Sequence, residues 1–423
     1  MASNEQFRVQ PEDPVSSSGE QDPNCWLSDH SVPRLEPQNL QTYTPDLTES
    51  QKAVREAIGK ICQKYPDDYW LAREQSKEFP ADFYQDLAKG GWLGICRPDK
   101  YGGLGLGLAE ASIKAECRRH LLSTSTFLVS SRLPNFGTEQ QKKKFLEPLM
   151  AGRERACFAV TEPDTGLDTL KIQAKAVRNG NHYALSGQKI WITTAQTAQK
   201  ILILARTTPI SRVKKSSEGL SLFYTDLNDN LPIQIAEIEK MGHGAIDSNA
   251  VFFDGWKVPA RDRIGDEGYD FKLIMHGMNA ERILIGCEAL GLGYAALRRA
   301  AIYSNERVVF GRPIGQNQAI QHPLADSWMN LEAARLMLAQ AARMYDDGYE
   351  SGEYANAGKY LAAEAAFKAC ERAVMGHGGM GYAKEYHVER YLREVLIPRI
   401  APVTKETICN YIGQTVLGLP KSY

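Results

Sequence analysis

Apolar residues along this chain follow three successive rhythms, and each predicts a different kind of structure. From Thr48 to about residue 150 they recur at helical spacing. Val54, Ile58, Ile61 and Cys62 open the series behind Thr48-x-x-Gln51, a capping-box pattern. Only a Gly-rich stretch, Tyr101 to Gly107, interrupts it. Between residues 157 and 265 short apolar and β-branched runs alternate with turns. Asn179-Gly180 marks a hairpin leading into Tyr183–Ser186 and Lys189–Thr193, and Ile201–Ala205, Leu220–Thr225 and Ala250–Phe253 read as further strands. Beyond residue 270 the pattern predicts four long helices, about 270–304, 322–347, 353–376 and 385–415, with the short connections of an antiparallel bundle. Residues 1–44 are rich in Pro, Ser, Gln and acids, lack apolar periodicity and read as a disordered arm. The predicted fold class is α+β: an N-terminal helical domain at 45–156, a central β-sheet domain at 157–268 and a C-terminal four-helix bundle at 269–423.

Composition narrows the function classes. The 423 residues are 43% hydrophobic and 24% charged, enough for two or three domains with a substantial core. A net charge of −1 recruits no polyanion, and Lys142-Lys143-Lys144 reads as a solvated helix face, so no nucleic-acid role is expected. The eight cysteines contain no Cys-x-x-Cys pair, which argues against disulfide staples and a metal site and for a reducing compartment. No run of ~20 uncharged apolar residues predicts a membrane span; residues 283–297 come nearest and Glu288 interrupts them. The first 44 residues hold two arginines, Arg8 and Arg34, and no apolar h-region, while Lys421-Ser422-Tyr423 is no Ser-Lys-Leu address. The cytosol is the default expectation, with peroxisome and mitochondrion left open. The Gly-rich stretch follows no convincing strand, which weakens a Rossmann reading.

Four blocks carry the chemistry. The first is Phe158-Ala159-Val160-Thr161-Glu162-Pro163-Asp164-Thr165-Gly166-Leu167-Asp168; the second is Gly187-Gln188-Lys189-Ile190-Trp191-Ile192-Thr193. The third is Glu306-Arg307-x-x-Phe310-Gly311 with Gln318, and the fourth is Gly378-Gly379-Met380-Gly381-Tyr382 with Glu385, Arg390 and Glu394. In this order and spacing they resemble the acyl-CoA dehydrogenases over roughly residues 48–415. The resemblance implies FAD as cofactor. Phe158, Val160, Thr161, Gly166, Leu167, Trp191, Ile192 and Thr193 would border the flavin. Arg307, Phe310 and Gln318 would reach the FAD of a neighbouring subunit, and Gly378, Gly379, Met380, Gly381 and Thr404 would complete its site. A homodimer or homotetramer follows, together with an acyl-CoA substrate and an electron-transfer flavoprotein as acceptor. The residue types suit that chemistry: Trp191 offers a flat apolar wall, threonine hydroxyls donate, glycines admit close backbone approach and Arg307 neutralises a pyrophosphate. Each alone also fits a blander role, Trp191 as core filler or the glycines as a helix-ending turn.

The family's usual base position falls on Pro402 within Ile400-Ala401-Pro402-Val403-Thr404, and proline removes no proton. A branch of the family carries a glutamate on the first long helix of the bundle instead, and Glu281 in Asn279-Ala280-Glu281-Arg282-Ile283 matches it. By resemblance, Asn279 and Arg282 contact the substrate. Helix spacing supports Glu281 separately: Phe271, Ile274, Met278, Glu281 and Ile285 form one stripe, and a carboxylate on an apolar stripe is costly unless paired or useful. Burial favours a protonated carboxyl, which helps it hold a proton once taken. Two alternatives stay open: Glu281 pairs structurally with Arg282 or Arg307, or Glu288, one heptad on, takes the role. The expected reaction is α,β-dehydrogenation to a trans-2-enoyl-CoA, Glu281 taking the α-proton and the β-hydride passing to flavin N5. A flavin oxidase or monooxygenase of a small molecule, or a non-catalytic relative, would share the fold. Thr165 is a further departure from the first signature, while Leu167, the shortened 108–138 segment and Pro402, which lacks the N–H, favour the non-catalytic reading.

Overall fold

The computed structural model describes residues 47–116, 127, 129–131, 135–228, 231–275 and 277–422. The N-terminal arm and much of the 108–138 segment lie outside the described residues. Helix α1 (Glu49–Gln63) starts where the capping box places it. Thr48 Oγ1 accepts from Gln51 N, and Gln51 Oε1 accepts from Thr48 N, both at 3.2 Å. It is followed by α2 (Asp67–Ser76), α3 (Ala81–Lys89), α4 (Leu108–Glu116) and α5 (Glu139–Met150). The Gly-rich stretch is a compact loop between α3 and α4, tied back by Leu104 N to Gly94 O (3.1 Å) and Leu106 N to Ile95 O (2.9 Å). A Cβ on Gly103 would sit 2.0 Å from Arg97 O, so close backbone packing, not a dinucleotide, explains that glycine.

The central domain is one eight-stranded sheet. Its strands are β1 (Ala156–Ala159), β2 (Lys175–Asn179), β3 (His182–Thr193), β4 (Lys200–Arg206), β5 (Leu220–Asp226), β6 (Ile233–Glu237), β7 (Ser248–Pro259) and β8 (Arg263–Ile264). The order is β6-β7-β3-β2-β4-β5-β8, with β1 parallel to β4. Gly180 turns the β2–β3 hairpin at φ 60°. The two strands expected at 183–186 and 189–193 are one strand. Long β7 pairs with both parts of it across two register shifts: β7 carries the extra residue between Leu185 and Gly187, and β3 carries it between Lys189 and Ile192.

The third domain begins with α6 (Phe271–Met275) and α7 (Met278–Glu306). The single helix expected there breaks at Gly277, whose φ of 109° no L-residue adopts readily. Phe271 and Ile274 consequently pack with the sheet core, and only Met278, Glu281 and Ile285 share a face of α7. Next come α8 (Gln318–Asp346) and α9 (Gly352–His377). The fourth leg is three short helices, α10 (Val388–Glu394), α11 (Leu396–Ile400) and α12 (Lys405–Tyr411). Pro402 explains the interruption: it forces Ala401 into extended backbone (φ −114°, ψ 155°), which ends α11.

Helices α7 and α9 lie nearly backbone to backbone. A Cβ at Gly286 would come 3.3 Å from the Lys359 Cα, and one at Gly293 would come 3.0 Å from the Ala366 Cα. Each pair is separated by 73 positions, so the two helices run parallel and in register. The match persists to their C-terminal ends, where Tyr303 stacks on His377 at 4.3 Å. Leu338 and Leu331 of α8 cover the same two glycines in reverse order, so α8 is antiparallel.

Charged side chains join the domains. Asp67 of α2 accepts from Arg390 Nη2 (3.0 Å) and Tyr391 OH (2.8 Å) of α10 and pairs with Arg299 of α7. Arg393 binds Glu389 (2.7 Å), Glu74 of α2 and the Met241 carbonyl (2.7 Å) of the sheet domain, so one guanidinium touches all three domains. Beside it, His243 Nε2 donates to the Glu394 carbonyl (3.3 Å), and its buried Nδ1 has no partner. Burial pushes the His243 imidazolium down to about 4. Because the unfolded chain then protonates first, this group's stabilisation is complete above the ordinary histidine pKa and is lost as pH falls from about 6.5 to about 4. Between pH 7 and 4.5 the wild type is expected to lose about 2 kcal/mol more stability than His243→Gln. Denaturant midpoints across that range check this, and parallel losses would remove His243 as the titrating group.

Candidate active site

The first two sequence blocks meet at a buried ion pair. Lys189 of β3 is fully buried, and its Nζ donates to the Val160 carbonyl and to Glu162 Oε1, both at 2.9 Å. Glu162 also accepts from Gln173 N (2.7 Å) and Ala174 N (2.9 Å). Ile190 N donates to Thr161 O at 2.9 Å, which sets Thr161 beside β3. Burial, opposed by Glu162, brings the Lys189 ammonium down to about 8.

The clamp fixes what lies two residues on. The extra residue in β3 puts Trp191 at φ 61°, and its side chain is 56% exposed on a rigid strand. A core filler would be buried; this ring presents a face instead. Ile192 turns into the sheet core, with its carbonyl held by Asn249 Nδ2 at 3.0 Å, so only its backbone can face the ring side. Phe158, Val160, Thr161 and Thr193 are half-buried around this edge, while Gly166 and Leu167 are exposed. Thr165 is buried, bridging backbone to backbone with Glu162, so its hydroxyl is not on the open side of the loop.

On the bundle side, Glu281 lies in the first turn of α7 and is buried. Arg282 Nη1 donates to Asn279 Oδ1 at 2.8 Å, and Arg282 Nε is buried with no acceptor. Burial lowers the Arg282 pKa, against the pull of Glu281 and Tyr411. Sequence reasoning missed Lys359. This buried lysine of α9 donates from Nζ to the Val403 carbonyl at 2.6 Å, next to Pro402, and stands within electrostatic reach of Arg282 and Glu281. Burial first, then Arg282, brings it down to about 8. A lone lysine on the Gly/Ala face of Gly358–Ala366 was the signal available. The Thr404 hydroxyl is engaged as the N-cap of α12, accepting from Thr407 N at 3.4 Å. Glu288 is also buried on α7, but its charge acts on Lys114 of α4, not on the Arg282–Lys359 group.

The remaining candidates lie elsewhere. Arg307 caps the far end of α7, ~39 Å along the axis from Glu281. Phe310, 99% exposed, tips the hairpin Val308–Pro313, and exposed Gln318 begins α8. Because α7 and α9 run parallel, Gly378, Gly379, Met380 and Gly381 sit at this same far end. Nothing lies within 4 Å of where a Cβ on Gly378 or Gly379 would be, so the bare backbone faces open space. A flat exposed indole on the sheet, and bare backbone beside an arginine on the bundle, fit the ring and diphosphate parts of a flavin dinucleotide. The first is offered by the sheet, the second by the C-terminal ends of two long helices.

Three family models match in chain order: the acyl-CoA dehydrogenase N-terminal domain over residues 48–153, the middle domain over 157–256 and the C-terminal domain over 270–417. The chain belongs to the acyl-CoA dehydrogenase family. It is 34% identical to acyl-CoA dehydrogenase FadE12 of Mycobacterium tuberculosis over 384 residues, 89% of this chain and 98% of that one. Butyryl-CoA dehydrogenase from Megasphaera elsdenii superposes with a TM-score of 0.83 at 29% identity, covering 89% of this chain and all of the other. PigA with FAD and proline superposes equally well, 0.83 at 26% identity, over 89% and 100% of the two chains. This acyl-CoA dehydrogenase-family protein is therefore an oxidoreductase whose cofactor is FAD. No described helix is long and apolar enough to cross a membrane.

The Glu162–Lys189 clamp predicts an asymmetry. Glu162→Leu strands a buried ammonium and two backbone N–H groups, with an expected cost of about 3–5 kcal/mol. Lys189→Met leaves Glu162 its two amide donors and should cost about 1–2 kcal/mol. Chemical denaturation of the two variants reads the difference, and equal costs would show that the pair is not what holds Thr161 against β3.

Proposed function

We propose that this protein dehydrogenates an acyl-CoA thioester at its α and β carbons, with Glu281 as the base that takes the α-proton. The observation that carries the reading is one carboxylate, buried in the first turn of α7 and flanked by Arg282 and Lys359. Both cations stand within electrostatic reach of the Glu281 carboxylate, and the helix N-terminus adds an attraction of the same sign. Asn279 and Arg282, joined by their hydrogen bond, orient the thioester. Pro402 offers no N–H to its carbonyl, and the Nε–H of Arg282, buried without an acceptor, is a spare donor on this side of the bundle. Bound FAD supplies a two-electron sink for the hydrogen leaving the β carbon. Trp191, Thr161 and Thr193 hold its ring system at the sheet edge. Arg307, Phe310, Gln318 and the Gly378–Gly381 turn serve the dinucleotide of a second copy, since they lie ~39 Å from their own Glu281. The assembly is thus a homodimer or a pair of dimers, and an electron-transfer flavoprotein reoxidises it. The likeness to PigA with FAD and proline, together with Pro402, favours a second reading, flavin-dependent oxidation of a small molecule. Rapid reoxidation by dioxygen without a carrier would mark that outcome.

Mixed anaerobically with a panel of acyl-CoAs, the FAD-loaded protein is expected to lose its flavin absorbance. Glu281→Gln should retain FAD but bleach about 10³-fold more slowly. Undiminished bleaching would remove Glu281 as base, and no bleaching with any thioester would remove the dehydrogenase reading. Sharing of sites is read by co-expression: Glu281→Gln and Arg307→Ala, each inactive alone, should regain activity in mixed oligomers. Continued inactivity of a mixture that retains FAD and assembles normally would place Arg307 outside the partner's site.

A further inference from the structure

A cavity between the N-terminal helices and the bundle lies away from the face of α7 that carries Glu281. Its walls come from α1, α4, α7 and α8, and its open space is about 590 Å³, mouth included. Cys287 and Leu290 line it from α7. Six and nine positions after Glu281, they are turned ~120–180° from that carboxylate, so this is a separate site.

Most polar groups on the wall are already bonded. Thr48 and Gln51 close the capping box of α1, Ser112 Oγ donates to the Leu108 carbonyl at 2.8 Å, and Arg335 binds Glu332 at 2.9 Å. Two charges differ. Glu116, at the end of α4, is only 7% exposed, and no described residue donates a hydrogen bond to its carboxylate. Burial raises its pKa, against the pull of Arg55 and Arg335. Arg343 is exposed at the mouth, and among the described residues its guanidinium makes one long bond, Nε to the Ala339 carbonyl of its own helix (3.4 Å). A carboxylate withdrawn from water without a donor is costly, so the floor calls for a hydrogen-bonding cation and the mouth for an anion. Between them the wall is apolar: Ile113, Leu290, Leu338, Ala339 and Ala342.

The packing of α4 against α8 sets the spacing of the two charges. Asp346 accepts from Leu108 N (2.7 Å) and Ala109 N (2.8 Å), which puts the end of α8 at the start of α4. Arg335, earlier on α8, is within electrostatic reach of Glu116 at the other end, so the helices are antiparallel. Glu116 is seven residues beyond Ala109, ~10 Å along the axis. Each Cβ leans toward its own helix N-terminus, so Glu116 and Arg343 lean toward one another and roughly 6–8 Å remains between a ligand's own charges.

We propose that this cavity binds a straight-chain ω-amino acid of about five or six carbons, its ammonium on Glu116, its methylenes along the apolar wall and its carboxylate on Arg343. Ion pairing at both ends and an apolar middle are three demands that no monofunctional ligand meets. Because α1 and α4 belong to the N-terminal domain and α7 and α8 to the bundle, the bound molecule ties the two domains together.

Isothermal titration of the FAD-loaded full chain compares 6-aminohexanoate with 4-aminobutanoate, hexanoate and hexylamine. The wild type is expected to bind 6-aminohexanoate at least ~10-fold more tightly than any of the others and to melt at a higher temperature in its presence. Glu116→Gln should bring that affinity down to the level of hexanoate, and Arg343→Ala down to that of hexylamine. Arg343 is at the surface, so its variant keeps the test open where Glu116→Gln fails to fold. No binding of 6-aminohexanoate up to ~10 mM overturns the site, as does equal affinity for all the ligands. If Glu116→Gln melts lower but binds 6-aminohexanoate as the wild type does, Glu116 is a buried counter-charge to Arg335 and the proposal falls.

Discussion

The close approach of α7 and α9 is the constraint on which the rest of the structure depends. Gly286 and Gly293 leave room for the α9 backbone, and the buried alanines of α9, among them Ala355, Ala362, Ala366, Ala369 and Ala373, answer with small side chains. Such a contact admits one register, because shifting either helix would drive a side chain into the opposite backbone. That register carries Lys359 to the base of Glu281 and Arg282 at one end. At the other it brings the Gly378–Gly381 turn alongside Arg307. The two chemically distinct ends of the bundle are therefore placed by a single packing arrangement.

Around this frame the protein repeatedly places cations where burial makes them expensive. Lys114, Lys189 and Lys359 are each brought down to about 8, and each donates to a main-chain carbonyl from a distant part of the chain. Lysine suits that task because its long stem crosses an apolar layer while the ammonium reaches an acceptor on the other side. Arginines do the complementary work between domains: Arg393 satisfies Glu74, Glu389 and the Met241 carbonyl at once, and Arg390 pairs with Asp67. Arg390 and Glu394, which the sequence aligns with the family's second signature, sit in this junction through the side chain of one and the carbonyl of the other.

Local signals in the sequence were read where the physics is local. The capping box at Thr48, the Asn179-Gly180 hairpin, the strands at 201–205 and 220–225 and the long bundle helices all depend on neighbours within a few residues. Boundaries moved where tertiary demands intervened: Gly277 splits the first bundle helix, Pro402 interrupts the fourth leg, and two short strands fuse because β7 pairs with both. The four sequence blocks were legible as a family pattern, but not the reasons for their residues. Trp191 alone does not disclose that an inserted residue in β3 turns its ring outward, and Lys189 gives no hint of its hold on Val160 and Glu162.

What the sequence by itself determined is the kind of each element, the order helical–sheet–helical and the identity of the family, because hydrophobic period, turn chemistry and motif spacing are properties of contiguous residues. The tertiary structure alone decided that Lys359 stands within electrostatic reach of Glu281, and that the arginine and glycine blocks lie an entire helix length from the carboxylate. Each of these is a relation between residues far apart in the chain. Such relations are set by which backbones can approach one another, and no pattern confined to one segment encodes them.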